Sequence, residues 1–156
     1  MTTQLLEQLK VVGALAPVDV GAGAWVGKPI SMENYQRVVF LIYIGVTDGT
    51  GTVTIEKGTT ASLGTAIAFN YRIATTGATA FSVLDGALTA VAATGLALVG
   101  TNDNKILAIE VQASELGTSS FVGVKVGASG SGTIAAIVAL CSDARFKQDV
   151  PPDPTS

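Results

Sequence analysis

The 156-residue sequence predicts an all-β fold, a single jelly-roll-like β-sandwich of about eight strands. Short runs rich in Val, Ile, Thr and aromatic residues recur roughly every ten residues, and Gly, Asp, Asn and Thr turns separate them. Residues 87–99 are ambiguous, because their alanines favour a helix whereas their threonines and Gly95 favour strands and turns. The length fits one domain with its own core.

Residues 37–44, RVVFLIYI, form the strongest strand candidate. The run is short, β-branched and aromatic, which favours a strand over a helix. Because both of its faces are apolar, both should be covered. We expect a second sheet on one side and a loop, an arm or a neighbouring subunit on the other.

In each of the next two runs, apolar residues alternate with polar or small ones. Residues 51–57 follow an Asp48-Gly49 turn, so they are expected to form a β-hairpin with residues 37–44. Residues 66–73 predict one further strand, with Ile67 and Phe69 on its bulky side.

The second half of the chain predicts further strands and one helical turn. Strands are expected at 81–84, 87–91, 96–99, 105–111, 120–126 and 133–141, and a helical turn within 112–118.

The chain divides into three parts. Residues 1–28 are expected to be an N-terminal arm because glycines and Pro17 interrupt them, residues 29–141 the sandwich, and residues 142–156 an extended proline-rich tail. Leu5, Leu6 and Leu9 fit one side of a short helix. Trp25 either anchors the arm in a pocket or covers one end of the sandwich.

The composition indicates an interaction surface and excludes some partners. Apolar residues make up 48 % and charged residues 13 %, so much of the surface is expected to be covered by something else; the alternative is an ordinary β-sandwich with a Thr/Ser-rich surface. The net charge of −3 and scattered basic residues argue against nucleic acid. Glu7 and Lys10 interrupt the first apolar run, so no signal peptide is expected. The apolar region at 89–100 is too short to span a bilayer and is broken by Gly95, so no membrane association is expected.

The residue types argue against catalysis. The chain has no histidine, so it lacks the commonest general base and a frequent metal ligand. Its single cysteine, Cys141, sits in an apolar run and is interpreted as a small buried side chain. Asp48, Asp85 and Asp103 lie in turns, where carboxylates usually bond to local backbone. We therefore expect no enzyme activity, catalytic residue, cofactor or metal.

Several motifs between residues 18 and 141 resemble small structural proteins of tailed bacteriophages. They are Val-Asp-Val at 18–20, the Ile-x-Met-x-Asn-Tyr-x-Arg-Val pattern at 30–38, the Thr/Val run at 51–57, Ala-Ile-Ala-Phe at 66–69 and the closing apolar strand. The resemblance implies a head decoration (cement) protein that binds the outside of the capsid and stabilises its lattice. It further implies the major capsid protein as partner, a homo-oligomer in the form of a trimer, and a virion location after synthesis in the host cytoplasm.

The partner-binding residues expected in the arm are Leu5, Leu6, Leu9, Val11, Val12 and Trp25. Two alternatives stay open. One is a tail, fibre or head–tail joining component with the same fold. The other is a carbohydrate-binding sandwich, which requires aromatic side chains clustered on an exposed face, whereas aromatics are only 6 % of the chain.

Overall fold

The computed structural model is all-β, and it describes residues 9–19, 21, 23–73, 84, 86–128 and 132–144. These residues contain twelve strands: β1 Lys10–Asp19, β2 Trp25–Val26, β3 Ile30–Ser31, β4 Tyr35–Thr47, β5 Thr52–Gly58, β6 Thr65–Ile67, β7 Phe69–Ile73, β8 Thr89–Val91, β9 Leu96–Ala97, β10 Lys105–Gln112, β11 Phe121–Val126 and β12 Thr133–Ala144. Short 3-10 turns occupy Gly100–Asn102 and Ala113–Leu116. None of the described residues forms a helix long and apolar enough to cross a membrane.

The strands form two antiparallel sheets. The first runs β1-β12-β4-β10-β7-β8, and we call it the long-strand sheet. The second runs β2-β11-β5-β6, with β3 pairing β11 and β9 pairing β5. β4 is central in the long-strand sheet, because β12 and β10 pair along its two edges.

The core lies between the sheets and follows from alternation along each strand. Between residues 38 and 44, β4 buries every second residue: Val38, Phe40, Ile42 and Ile44. From the other sheet, β5 and β11 contribute Val53, Ile55, Val122, Val124 and Val126, all at most 1 % exposed. The predicted inward residues of β10, namely Leu107, Ile109 and Val111, are also buried.

Three predictions of local structure are corrected. The described residues contain twelve strands rather than about eight, because short pairing segments such as β2 and β3 carry too little pattern to be recognised. The predicted hairpin is wrong, because β4 and β5 lie in different sheets. At the Asp48-Gly49 turn the chain crosses from one sheet to the other. Residues 66–73 form two strands, since β6 belongs to one sheet and β7 to the other.

The region expected to be an arm contains the first strand. β1 pairs with β12 from Lys10↔Cys141 to Asp19↔Ile134, with register shifts on either side of Leu15. Ala14 is buried in the core. At the other end of the chain, β12 extends to Ala144, past the predicted end of the sandwich. The strand predicted at 81–84 falls almost wholly outside the described residues.

Candidate functional site

The side of the long-strand sheet that faces away from the core is apolar. Alternating with the buried residues of β4 are Val39, Leu41 and Tyr43, all half-buried. The register places Leu140 and Val39 side by side, then Val138 beside Leu41, then Ala136 beside Tyr43. Apolar side chains therefore continue across strands.

The two flanking strands extend this surface. On β10, Ala108 lies opposite Leu41, and Ile106 opposite Tyr43. On β1, Val11 lies opposite Leu140 and is 50 % exposed. We call the surface the outer apolar face; it comprises Val11, Val39, Leu41, Tyr43, Ile106, Ala108, Ile134, Ala136, Val138 and Leu140.

The outer apolar face is comparable in size with the largest apolar patch of a typical monomeric protein. Four strands about 4.8 Å apart, and six residues along β12 at about 3.3 Å each, give an area of about 400 Å². Apolar patches of this size are often functional, whereas single exposed apolar residues are common and carry no such meaning.

One end of the outer apolar face contains an open groove of about 650 Å³. Ala16 and Pro17 of β1 form one wall, Tyr43 and Ile134 the floor, and Asn104 the far end. Ile134 is 49 % exposed there because its neighbour on β4 is Gly45, which offers no side chain. An apolar side chain of a partner would fit this groove.

Charged side chains lie at the end of the outer apolar face opposite the groove. The Arg37 Nε atom lies 3.2 Å from the Glu110 Oε1 atom and 3.5 Å from the Asp143 Oδ2 atom. Asp143 has a φ of 56°, a conformation that Asp tolerates better than most residues. These side chains are about half exposed, so the cluster contributes little to stability and serves as a polar margin.

The predicted arm residues do not act as one group in the structure. Leu5 and Leu6 lie outside the described residues, and Leu9 is half-buried just before β1. Val11 belongs to the outer apolar face, whereas Val12 packs against the core from the other side of β1. Trp25, in β2, is 41 % exposed. Among the predicted partner-binding residues that the structure describes, Val11 is therefore the one on the outer apolar face.

Cys141 lies on the core side of β12 and is fully buried, as interpreted from the sequence. Burial raises the pKa of its thiol from 9.0 to about 12, and the nearby charge of Lys10 offsets part of this rise. Since the thiolate is the nucleophilic form, this thiol is inert at neutral pH.

The groove end of the sandwich also contains two buried hydroxyl groups. Thr47 and Thr133 are opposite each other on β4 and β12. Within the described part of the chain, their Oγ1 atoms are the buried side-chain polar atoms without a hydrogen-bond partner. Around them the backbone is well paired: the N–H of Thr47 donates to Asp103 and that of Thr133 to Asp19.

Fold and surface together define a two-sheet antiparallel β protein with one apolar sheet face turned outward. No protein-family model matches the sequence, and no curated protein matches it. Among solved structures, this chain is similar to the crystal structure of the SPBc2 prophage-derived protein YomS, with a TM-score of 0.51 and 11 % identity. The match covers 91 % of this chain and all of that one. At this identity the likeness concerns the fold alone.

Sequence reasoning missed most residues of the outer apolar face. It expected the second face of residues 37–44 to be covered, yet it assigned binding to the arm. The missed signal was the lack of polar residues at every second position of β12 and at the start of β10. A strand with one solvent-facing side normally alternates between apolar and polar residues.

Proposed function

We propose that this protein is a structural component of a phage virion, a decoration protein that binds the outer surface of the capsid and stabilises its lattice. It acts by binding and has no catalytic role. The observation that carries the proposal is the outer apolar face, an apolar surface of about 400 Å² on an otherwise well-packed sandwich. The likeness of fold to a prophage-derived protein and the phage-like motifs also support it.

The stabilising effect would follow from repetition. Each copy makes a modest contact with the major capsid protein, and many copies joined into an oligomer gain affinity through avidity. A protein that binds only the assembled lattice opposes its disassembly by mass action. We propose a trimer on the capsid exterior, with Leu5, Leu6, Leu9 and Trp25 contributing to contacts with neighbours.

We also propose that the topology is a jelly roll with inserted strands. Setting aside β3, β7, β8 and β9 leaves eight strands, which we number one to eight in chain order. The long-strand sheet then runs one-eight-three-six and the other sheet two-seven-four-five. This is the order of two interlocked Greek keys, an architecture found in viral capsid proteins.

The test is the copy number of the protein in purified virions of the phage that encodes it. Quantitative mass spectrometry against the major capsid protein should find hundreds of copies in a simple ratio to the capsid subunit. A handful of copies would instead indicate a tail or head–tail joining component. Absence from the particle would refute a virion role.

A second test addresses the surface. Leu41→Lys places a charge in the middle of the outer apolar face, whereas Ala66→Lys places one at an exposed position of β6 in the other sheet. Sedimentation with capsids should be lost for Leu41→Lys and retained for Ala66→Lys. Equal binding by both variants would contradict the role of the outer apolar face.

A further inference from the structure

We propose that a polar cleft at the charged end of the sandwich binds a neutral, hydroxyl-rich ligand, a saccharide. The cleft has a volume of about 630 Å³. The residues that line it are Gln36, Arg37, Gln112, Ala113, Ser114, Gly117 and Asp143. None of them belongs to the outer apolar face, so the proposal is independent of capsid binding.

One wall of the cleft is a firmly held turn, the 3-10 segment Ala113–Leu116 that follows β10. The N–H of Gln112 donates to the Glu115 Oε2 atom at 2.9 Å, and Leu116 is fully buried. From the other sheet, the Lys57 Nζ atom donates to the Leu116 carbonyl at 3.0 Å. The polar side chains on this wall are therefore attached to a fixed backbone, which lowers the ordering cost of binding a ligand.

The opposite wall is formed by neighbouring strands of the long-strand sheet. Arg37 of β4 pairs with Gln112 of β10 on one side and with Ser142 of β12 on the other. Since both edges of β4 are paired at this point, its backbone is not available to a peptide that would add a strand. Recognition at this wall is therefore left to the side chains.

The side chains in the cleft offer both donors and acceptors of hydrogen bonds. Gln36, Gln112 and Ser114 are exposed, and in the described part of the chain their side chains have no hydrogen-bond partner. A glutamine amide and a serine hydroxyl each donate and accept, as the hydroxyl groups of a sugar do. Arg37 and Asp143 add a donor group and an acceptor group side by side, which suits two adjacent hydroxyl groups.

The charges around the cleft disfavour an ionic ligand. Arg37 lies between two carboxylates, with its Nε atom 3.2 Å from Glu110 and 3.5 Å from Asp143. A phosphate or carboxylate ligand would meet these two negative charges, whereas a cation would meet the guanidinium group. The described residues also contain no group of three acidic, His or Cys side chains able to hold a metal ion. A neutral ligand meets neither penalty, and the mostly polar lining favours a polar one.

Titration of the full chain, followed by proton–nitrogen correlation NMR, tests the site directly, because glutamine side-chain amides give their own signals. The probes are glucose, galactose, mannose, rhamnose and N-acetylglucosamine, with sodium phosphate and a capped alanine tripeptide for comparison. We expect at least one sugar to give saturable shifts at Gln36 and Gln112. The described lining contains no aromatic residue for stacking, so the dissociation constant should be about 1 mM or higher.

Phosphate and the tripeptide should give no saturable shifts at these two amides. The proposal would be overturned if none of the sugars gave saturable shifts there, or if only phosphate or the tripeptide did.

Matched variants locate the binding. Gln112→Ala and Ser114→Ala should each weaken sugar binding about 2–10-fold, because each removes one hydrogen bond. Ser62→Ala changes another exposed serine, in the loop between β5 and β6, and should bind as the wild type does. Leu41→Lys should also retain sugar binding, which separates this site from the outer apolar face. Unchanged binding by both Gln112→Ala and Ser114→Ala would contradict the proposal.

Discussion

Replacing the paired threonines Thr47 and Thr133 by valine should stabilise the protein. Both Oγ1 atoms are buried without a hydrogen-bond partner, although each was hydrated in the unfolded chain. A buried hydroxyl without a partner costs about 1–3 kcal/mol. Valine has the same shape and the same preference for strands, so the gain is not offset by lost packing.

The expected increase in the free energy of unfolding is about 1 kcal/mol for each substitution, which raises the Tm by about 2–4 °C. Urea denaturation of Thr47→Val, Thr133→Val and the double variant measures it. Thr52→Val is the control, because Thr52 is half-buried on β5 and its Oγ1 atom is not a buried atom without a hydrogen-bond partner. The control should change stability by less than about 0.5 kcal/mol.

A loss of stability in the single variants would refute the reasoning, and the double variant would show why. If the two hydroxyls in fact bond to each other, each single replacement leaves one partner unpaired and costs about 1–3 kcal/mol. Replacing both would then be nearly neutral. If both hydroxyls are unpaired, as we argue, the two gains should add within about 0.5 kcal/mol.

Three further predictions follow from single residues. The thiol pKa of Cys141 is raised to about 12 in the fold. The contribution of the buried thiol to the free energy of unfolding is therefore complete below pH 9 and is lost as the pH rises toward 12. Between pH 8 and 10.5 the wild type should therefore lose about 2 kcal/mol more unfolding free energy than Cys141→Ala, and parallel curves would contradict this. Gly95→Ala should cost more than about 2 kcal/mol, because φ is +93° and the new Cβ would lie 2.6–2.7 Å from atoms of β5. Gly123→Ala should cost clearly less in the same denaturation assay, since its closest conflict is with the movable end of Leu63, and equal losses would refute the distinction. Arg37→Met should change stability by less than about 0.5 kcal/mol in thermal melts, because its ion pairs are half exposed, and a larger loss would mean that the cluster is structural.

The hairpin error shows what a turn signal can and cannot specify. Asp48-Gly49 indicates correctly that the chain reverses between β4 and β5. Whether the two strands then pair depends on which edges of β4 are free. β12 and β10 occupy both edges, and both are remote in sequence, so β5 joins the other sheet. Pairing over such distances leaves no local trace in the sequence.

β1 was difficult to predict for a different reason. Gly13 and Pro17 interrupt the apolar pattern, which is typical of irregular chain. The structure keeps the strand by shifting register on both sides of Leu15, and it places β1 at the edge of the sheet. An edge strand tolerates proline, because one side of its backbone needs no partner in the sheet.

The apolar residues on the outside of the long-strand sheet require an explanation that folding does not supply. The core is already filled by the alternate residues of the same strands, and Leu41 or Val138 on the solvent side adds little to it. A polar residue there would keep the strand and lower the risk of aggregation. Keeping β4, β12 and the start of β10 apolar on both faces is therefore costly for a monomer and useful only where the outer apolar face is covered. If variants with polar residues at both Leu41 and Val138 folded normally and retained all assembly and binding, this argument would fail.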